Sequence, residues 1–330
     1  MVNTDAEPNA VPVGRLAPSP TGAQHIGNAR TYLLAWLSIR SRGGRIVLRM
    51  EDIDSPRVKP GADEQAIDDL RWLGLDWDEG PDIGGPHGPY VQTQRLEHYE
   101  AALARLQSAE RIYPCTCSRT DVQAAASAPH VGQEGPLYPG TCRQRMSAHA
   151  SDILGESFSW RFRATPEAHA IDDLVAGHRT CRVAEELGDF VIAKRDGFPA
   201  YQLAVVADDH AMRVTEVLRG DDLLPSAFRQ CELYAFFGWQ PPRFAHVPLV
   251  VGPDGRRLAK RHGDTRLSLL REAGVPAERL VGLLAWSCRL RPDATPIAAA
   301  DLLDDFDLGR LPREPFVFGE TMFDELLKST

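Results

Sequence analysis

The sequence predicts an α/β fold built on a parallel sheet, and three observations carry that prediction. VPVGRLA reads as a short apolar strand, the stretch from Ile26 to Arg42 puts Leu33, Leu34 and Leu37 on one helical face, and RIVLRM reads as a second strand. Strand, helix and strand within about forty residues make a βαβ unit, whose right-handed crossover pairs its strands in parallel. The alternation returns downstream, where VTEVLRGDDLLPSAFRQCELYAFFGW runs strand, turn and helix before a further strand at FAHVPLVV.

Taken in order, residues 1–12 read as a flexible tail and residues 13–110 as the first half of the sheet domain. Gly43 and Gly44 end the first helix, and Pro60 to Gly74 and Arg95 to Glu110 read as two more helices from apolar residues at helical spacing. Residues 111–198 read as an insertion, because Cys115 to about Phe198 is rich in turns and short strands, and AAASAPHVGQEGPLYPG is punctuated by Gly and Pro. Residues 199–267 resume the sheet and end in a Gly-rich basic loop, VGPDGRRLAKRHGD; residues 268–330 read as a short helical stalk.

A chain of 330 residues has room for one large α/β domain with insertions, or for two domains. Six sparse, unevenly spaced cysteines and a start without a basic or apolar leader point to a reducing cytoplasm with free or metal-bound thiols. No apolar run is long enough to cross a bilayer. The net charge of −9 argues against general nucleic-acid affinity, which rewards clustered lysine and arginine. Local basic faces remain open at Arg40, Arg42 and Arg45, at Arg143 and Arg145, at Arg161 and Arg163, and from Arg256 to Arg261.

In an open parallel sheet, ligands bind beyond the carboxyl ends of the strands, where strand order reverses. RLAPSPTGAQHIGNARTYLL falls there: the strand ends near Ala17, a Pro-rich turn exposes backbone, and a helix starts at His25-Ile26-Gly27. A helix start offers free N–H groups and a positive dipole end to an anion, while Gly27 lets a flat ring come close. Neither GxGxxG nor GxxxxGK[ST] is present, so neither a dinucleotide loop nor a P-loop accounts for it. His25 by itself reads first as a capping or satisfied surface histidine, and only its neighbours turn it toward a site.

Four motifs, APSPTGxxHIGNARTYLL, LRMEDID followed by SPR, VLRGDDLL and RRLAKR, resemble in order and spacing the class I glutamyl-tRNA synthetase family, from about Val13 to Leu270. The resemblance implies a Rossmann-like catalytic domain that joins the α-carboxylate of L-glutamate to ATP, with Mg2+, and passes the glutamyl group to a nucleic acid. That chemistry needs in-line placement and neutralised phosphate charge rather than a protein nucleophile. By the resemblance, His25 and Lys260 are the catalytic groups, and His25, Gly27, Asn28 and Lys260 hold ATP. Asn28 stands at the fourth position of the HIGH motif, and the KMSKS-like loop reads Arg257-Leu258-Ala259-Lys260-Arg261, without the first lysine and the serine. The resemblance assigns glutamate to Arg15, Leu16, Ala17, Pro18, Ser19, Glu51, Tyr201 and Arg219. Arginine suits a carboxylate because its planar fork bonds both oxygens. Read singly, Arg15 and Arg219 could be ion-paired at the sheet rim, Glu51 could balance Arg49, and Tyr201 could be core.

Cys115-Thr-Cys117 followed by Tyr138-Pro-Gly-Thr-Cys142 looks like a closed structural zinc site with three thiolates and one further ligand. It resembles the arrangement in the glutamyl-Q branch of the family, with Tyr138 fourth, although His130 is an alternative and small buried thiols are the metal-free reading. About seventy residues follow Lys260, too few for the family's anticodon-binding body. Both features imply that branch, which activates glutamate without tRNA and attaches it to queuosine in the anticodon stem-loop of tRNA(Asp), as a monomer. The competing readings are a truncated glutamyl-tRNA synthetase charging tRNA(Glu) and a non-catalytic binding module.

Overall fold

The computed structural model of the protein describes residues 11–54, 57–125, 137–153, 155–258 and 265–328. Strand β1 (Val13–Leu16) leads into helix α1 (Ile26–Arg40) and returns through β2 (Arg45–Leu48), which pairs with β1 in parallel, Val13 opposite Arg45 and Leu16 opposite Leu48. Helices α2 (Ala62–Trp72) and α3 (Leu96–Ser108) follow. Next come β3 (Ile112–Cys115), α4 (Arg119–Ala125), β4 (Ser159–Phe162), β5 (Ala168–Asp173), β6 (Gly177–Arg182), α5 (Val183–Glu186) and β7 (Phe190–Ala193). Here β3, β4 and β7 form an antiparallel sheet, and β5 and β6 form a hairpin. The second half then runs α6 (Tyr201–Ala211), β8 (Glu216–Gly220), α7 (Leu224–Phe237) and β9 (Arg243–Val247), with β8 and β9 parallel. The chain closes with β10 (Val250–Val251), α8 (Leu267–Glu272), α9 (Ala277–Ser287), β11 (Phe316–Val317) and α10 (Glu320–Leu327).

The two parallel pairs meet at β1 and β8, where Thr215 N–H donates to the Val13 carbonyl at 2.8 Å. Helix α1 is wedged over this junction. Ten of its fifteen residues are buried, including Arg30 and Ser38, so it is a central helix enclosed on most sides rather than the one-sided helix that Leu33, Leu34 and Leu37 predict. Its buried polar groups are matched: Arg30 donates to the Pro248 carbonyl at 2.6 Å, and Ser38 to Glu216 of β8 at 2.5 Å. Close packing of α1 on the sheet depends on Gly14, since a Cβ there would stand 2.3 Å from Ile39 Cγ1. Truncating Leu34, fully buried in this core, to Ala would cost about 2–5 kcal/mol.

The first core continues through the C-terminal segment: Leu270, Leu280 and Leu284 share one cluster with Leu33 and Leu37. What the sequence reads as a stalk is therefore packed onto the α1 body, and it contains a strand that the sequence did not reveal, β11, paired in parallel with β10. A second core joins α6, α7, β8 and β9 to the inserted hairpin, whose Leu174 N–H donates to the Phe244 carbonyl of β9 at 2.9 Å. Of the predicted tail, residues 1–10 lie outside the described residues. Among the described residues no helix is long and apolar enough to cross a membrane.

Candidate active site

Beyond the carboxyl ends of β1 and β8 lies a cavity of about 530 Å³. Arg15, Ala17 and Ser19 reach it from β1 and the following turn, His25, Gly27 and Asn28 from the start of α1, and Glu51 from the end of β2. Tyr201 enters from the first turn of α6, and Arg219 from β8. Leu16 and Pro18 are not among the lining residues: alternation along the extended chain turns Leu16 into the core between Arg15 and Ala17, and Pro18 is buried beside Ser19.

His25 is the N-cap of α1. Its Nδ1 accepts from Gly27 N–H at 3.1 Å and Asn28 N–H at 3.4 Å, and Asn28 Oδ1 accepts in return from His25 N–H at 3.1 Å. The histidine is thus both cap and cavity wall, and the cap fixes its tautomer: with Nδ1 accepting, a neutral ring carries its proton on Nε2, free to donate to a ligand. Burial, helped by Arg257, lowers its pKa to about 4, so the ring is neutral at physiological pH. Gly27 has a role beyond ligand approach, because a Cβ there would lie 2.9 Å from His25 Cε1 and 3.0 Å from Nδ1.

Lys260 lies outside the described residues, but the chain on either side of it is anchored near His25. Leu258 N–H donates to the Val250 carbonyl at 3.4 Å, Ile26 N–H to the Thr265 carbonyl at 3.2 Å, and Leu267 N–H to the Gln24 carbonyl at 2.9 Å. Arg257 lines the cavity and pairs with Asp222 at 2.9 Å.

Under the cavity runs a buried ionic network. Arg49, fully buried, donates to Glu51 at 2.8 Å and Asp209 at 2.8 Å, and approaches Asp208 at 3.7 Å. Burial alone would lower its pKa, yet Asp209, Glu51 and Asp208 outweigh that and raise it. Arg15 approaches Asp209 at 3.3 Å, and Asp208 accepts from Arg95 at 2.6 Å. Three arginines here meet three carboxylates. Arg219 differs: only 4 % exposed, it donates to His246 Nε2 at 3.1 Å, Tyr201 Oη at 3.3 Å and Gln230 Oε1 at 2.9 Å, all neutral acceptors. None of its partners among the described residues is a carboxylate. Such a cation invites an anion from outside.

A second cavity of about 760 Å³ adjoins the first, sharing Ser19, Thr21, Glu51 and Tyr201 and reaching Cys117, Arg161 and Lys194 of the insertion. At its wall the Sγ atoms of Cys115, Cys117 and Cys142 all lie within 4.8 Å of one another. Tyr138 Oη is 3.4 Å from Cys115 Sγ and 3.9 Å from Cys117 Sγ, while Cys117 and Cys142 are 3.7 Å apart. Zinc with sulfur at about 2.3 Å in a tetrahedron sets its sulfurs roughly 3.8 Å apart, so these residues fit the ion. Burial opposes ionisation of Cys142, but hydrogen bonds from the Thr116 backbone, Tyr138 and Cys117 prevail and lower its pKa to about 7. His130 lies outside the described residues.

A family model described as tRNA synthetases class I (E and Q), catalytic domain, matches residues 12–292. The chain belongs to that family. Within it, the glutamyl-Q tRNA(Asp) synthetase of Symbiobacterium thermophilum is 54% identical over 92% of this chain and 94% of its own length. That of Rhodopirellula baltica is 49% identical over 94% of this chain and 98% of its own. Among solved structures, a glutamate-tRNA synthetase from Elizabethkingia anophelis superposes with a TM-score of 0.82 at 27% identity, over 96% of this chain and 70% of that one.

Sequence reasoning missed several residues of this class I synthetase site. Asp208 and Asp209 left a signal, since two acids inside the apolar helix YQLAVVADDHA must be matched by cations once buried. Asp173 and His246, which stand behind Arg219, left none: they lie 73 residues apart, in the hairpin and in β9.

Proposed function

We propose that this chain activates L-glutamate with ATP, without tRNA, and transfers the glutamyl group to queuosine in the anticodon loop of tRNA(Asp). The observation that carries the reading is Arg219, a buried guanidinium with no carboxylate partner among the described residues, beside Arg15 and Glu51 in one cavity with the His25 helix start. Glutamate brings two carboxylates and one ammonium; apart from Arg257 and Asp222, which pair with each other, the charged residues lining the cavity are Arg15, Arg219 and Glu51. The identity to two glutamyl-Q relatives over nearly their whole length supports the same branch.

In this reading Arg15, Ala17, Ser19, Tyr201 and Arg219 hold the carboxylates, and Glu51 the ammonium. An oxygen of the α-carboxylate attacks the α-phosphorus of magnesium-bound ATP, and the bond to pyrophosphate breaks. His25 Nε2–H and the α1 N–H groups, with Lys260, stabilise the spreading phosphate charge. A hydroxyl of the queuosine cyclopentene ring then attacks the glutamyl carbonyl, and AMP leaves. The second cavity gives that acceptor a route to the adenylate, past a wall held by Cys115, Cys117, Tyr138 and Cys142 with one structural zinc. We place the protein in the cytoplasm as a monomer. Transfer of labelled glutamate tests the acceptor: the reading requires labelling of queuosine-containing tRNA(Asp) and none of the queuosine-free form. Charging of tRNA(Glu) would establish the ordinary synthetase instead, and binding without turnover the inactive module.

A further inference from the structure

We propose that His246, anchored by Asp173, is a positioning residue that holds Arg219 as an uncancelled cation for the side-chain carboxylate of the amino acid, and so sets the preference for glutamate over glutamine. The proposal rests on the reading of the cavity given above.

Of the other buried arginines, Arg15, Arg49 and Arg95 lean on carboxylates, while Arg30, which does not line the cavity, donates to Ser287 Oγ and the Pro248 carbonyl. Arg219 has a carboxylate close by as well, yet a ring stands between them. Arg219 Nε–H donates to His246 Nε2 at 3.1 Å, and the opposite ring nitrogen, Nδ1, meets Asp173 Oδ2 at 2.6 Å. Because Nε2 accepts, the ring proton sits on Nδ1 and is donated to Asp173. His246 is fully buried, and burial keeps its pKa below the usual value despite Asp173. Asp173 is fixed in turn through Oδ1, which accepts from the N–H groups of Val175 at 2.9 Å, Ala176 at 2.7 Å and His246 at 3.0 Å.

Interposing a neutral ring has a definite consequence. Direct contact with Asp173 would cancel the guanidinium charge, leaving a pocket that bonds an amide about as well as a carboxylate. Through the imidazole, the aspartate polarises and orients Arg219 without neutralising it. The Nη groups are steadied by Tyr201 and Gln230, again without charge. Selectivity for an anion is thereby built into a shell of two residues that do not line the cavity.

Glutamate-dependent exchange of pyrophosphate into ATP, read for glutamate KM, ATP KM and the glutamate-to-glutamine ratio of kcat/KM, tests this with three variants. His246→Gln can accept from Arg219 and donate to Asp173, and is expected to keep glutamate KM within about threefold. His246→Leu offers no acceptor, and His246→Asn is too short to serve both partners. Each is expected to raise glutamate KM roughly tenfold or more and to erode the ratio, with ATP KM unchanged. Should His246→Leu fail to fold, His246→Asn carries the comparison. Folded Leu or Asn variants with unaltered glutamate KM and ratio would overturn the proposal, as would a His246→Gln protein as impaired as His246→Leu. Absence of exchange in the unmodified protein would instead sink the underlying reading of the cavity.

Discussion

Replacing Arg219 by Met removes the buried cation of the cavity wall whose described partners are all neutral, and keeps most of its volume. A charge-assisted hydrogen bond is worth about 1.5–3 kcal/mol, and at 4 % exposure water cannot stand in for the lost fork. At 1.4 kcal/mol per factor of ten, glutamate KM should rise roughly 10- to 150-fold. ATP KM should barely change, because His25, Gly27 and Asn28 lie on another wall. Folding stability should fall much less than for Arg49→Met, which would strand Glu51 and Asp209 without their shared cation at a cost of about 3–5 kcal/mol. Pyrophosphate exchange at varied glutamate and at varied ATP, with thermal melts of both variants, separates these effects. Unaltered glutamate dependence in folded Arg219→Met would refute the reasoning, and so would an equal loss in both substrates.

His25→Asn retains a competent N-cap, so its stability at neutral pH should change by less than about 1 kcal/mol while kcat for exchange falls on the order of 100-fold. With His25 held near 4, below its unfolded value of 6.5, the unfolded chain binds the extra proton between those values. Its contribution is therefore complete above pH 6.5 and is lost as pH falls toward 4, by about 3 kcal/mol at most. Denaturant titrations at pH 7 and pH 4.5 should show this loss, reduced in His25→Asn, and the His25 ring resonances should titrate near 4. Gly27→Ala gains helix propensity but drives a methyl into the His25 ring, so exchange should slow about tenfold or more without a fall in melting temperature. Protein purified without chelator should carry one equivalent of zinc, and Cys117→Ser should lose it; less than half an equivalent in the unmodified protein would remove the metal from the account.

Much of the frame was legible because it rests on local pattern. The βαβ unit, the second strand-turn-helix and the turn-rich character of the insertion follow from periodicity and from Gly and Pro punctuation, and the predicted ends of the first three helices are off by only a few residues. Assignments failed where tertiary packing decides. Helix α1 is enclosed because β8 and α9 close over its polar side, which no period in its own sequence records, and β11 is a two-residue strand made by a long-range partner. At the site, Arg15, His25, Glu51, Tyr201 and Arg219 converge as the motifs implied. Glu51 proves to be both partner of Arg49 and wall of the cavity, so the two sequence readings were not exclusive. Leu16 and Pro18 do not line the cavity, because the resemblance covers a contiguous motif whereas an extended chain shows alternate residues to one side. Asp173 and His246 could not be found without the fold that joins the hairpin to β9.

The central claim is that one cavity binds an acidic amino acid and ATP together and joins them with no nucleic acid present. Glutamate-dependent pyrophosphate exchange in the complete absence of tRNA measures this most directly. The account predicts exchange that saturates with glutamate and is not raised by added tRNA; no exchange without tRNA, or none under any condition, would contradict it.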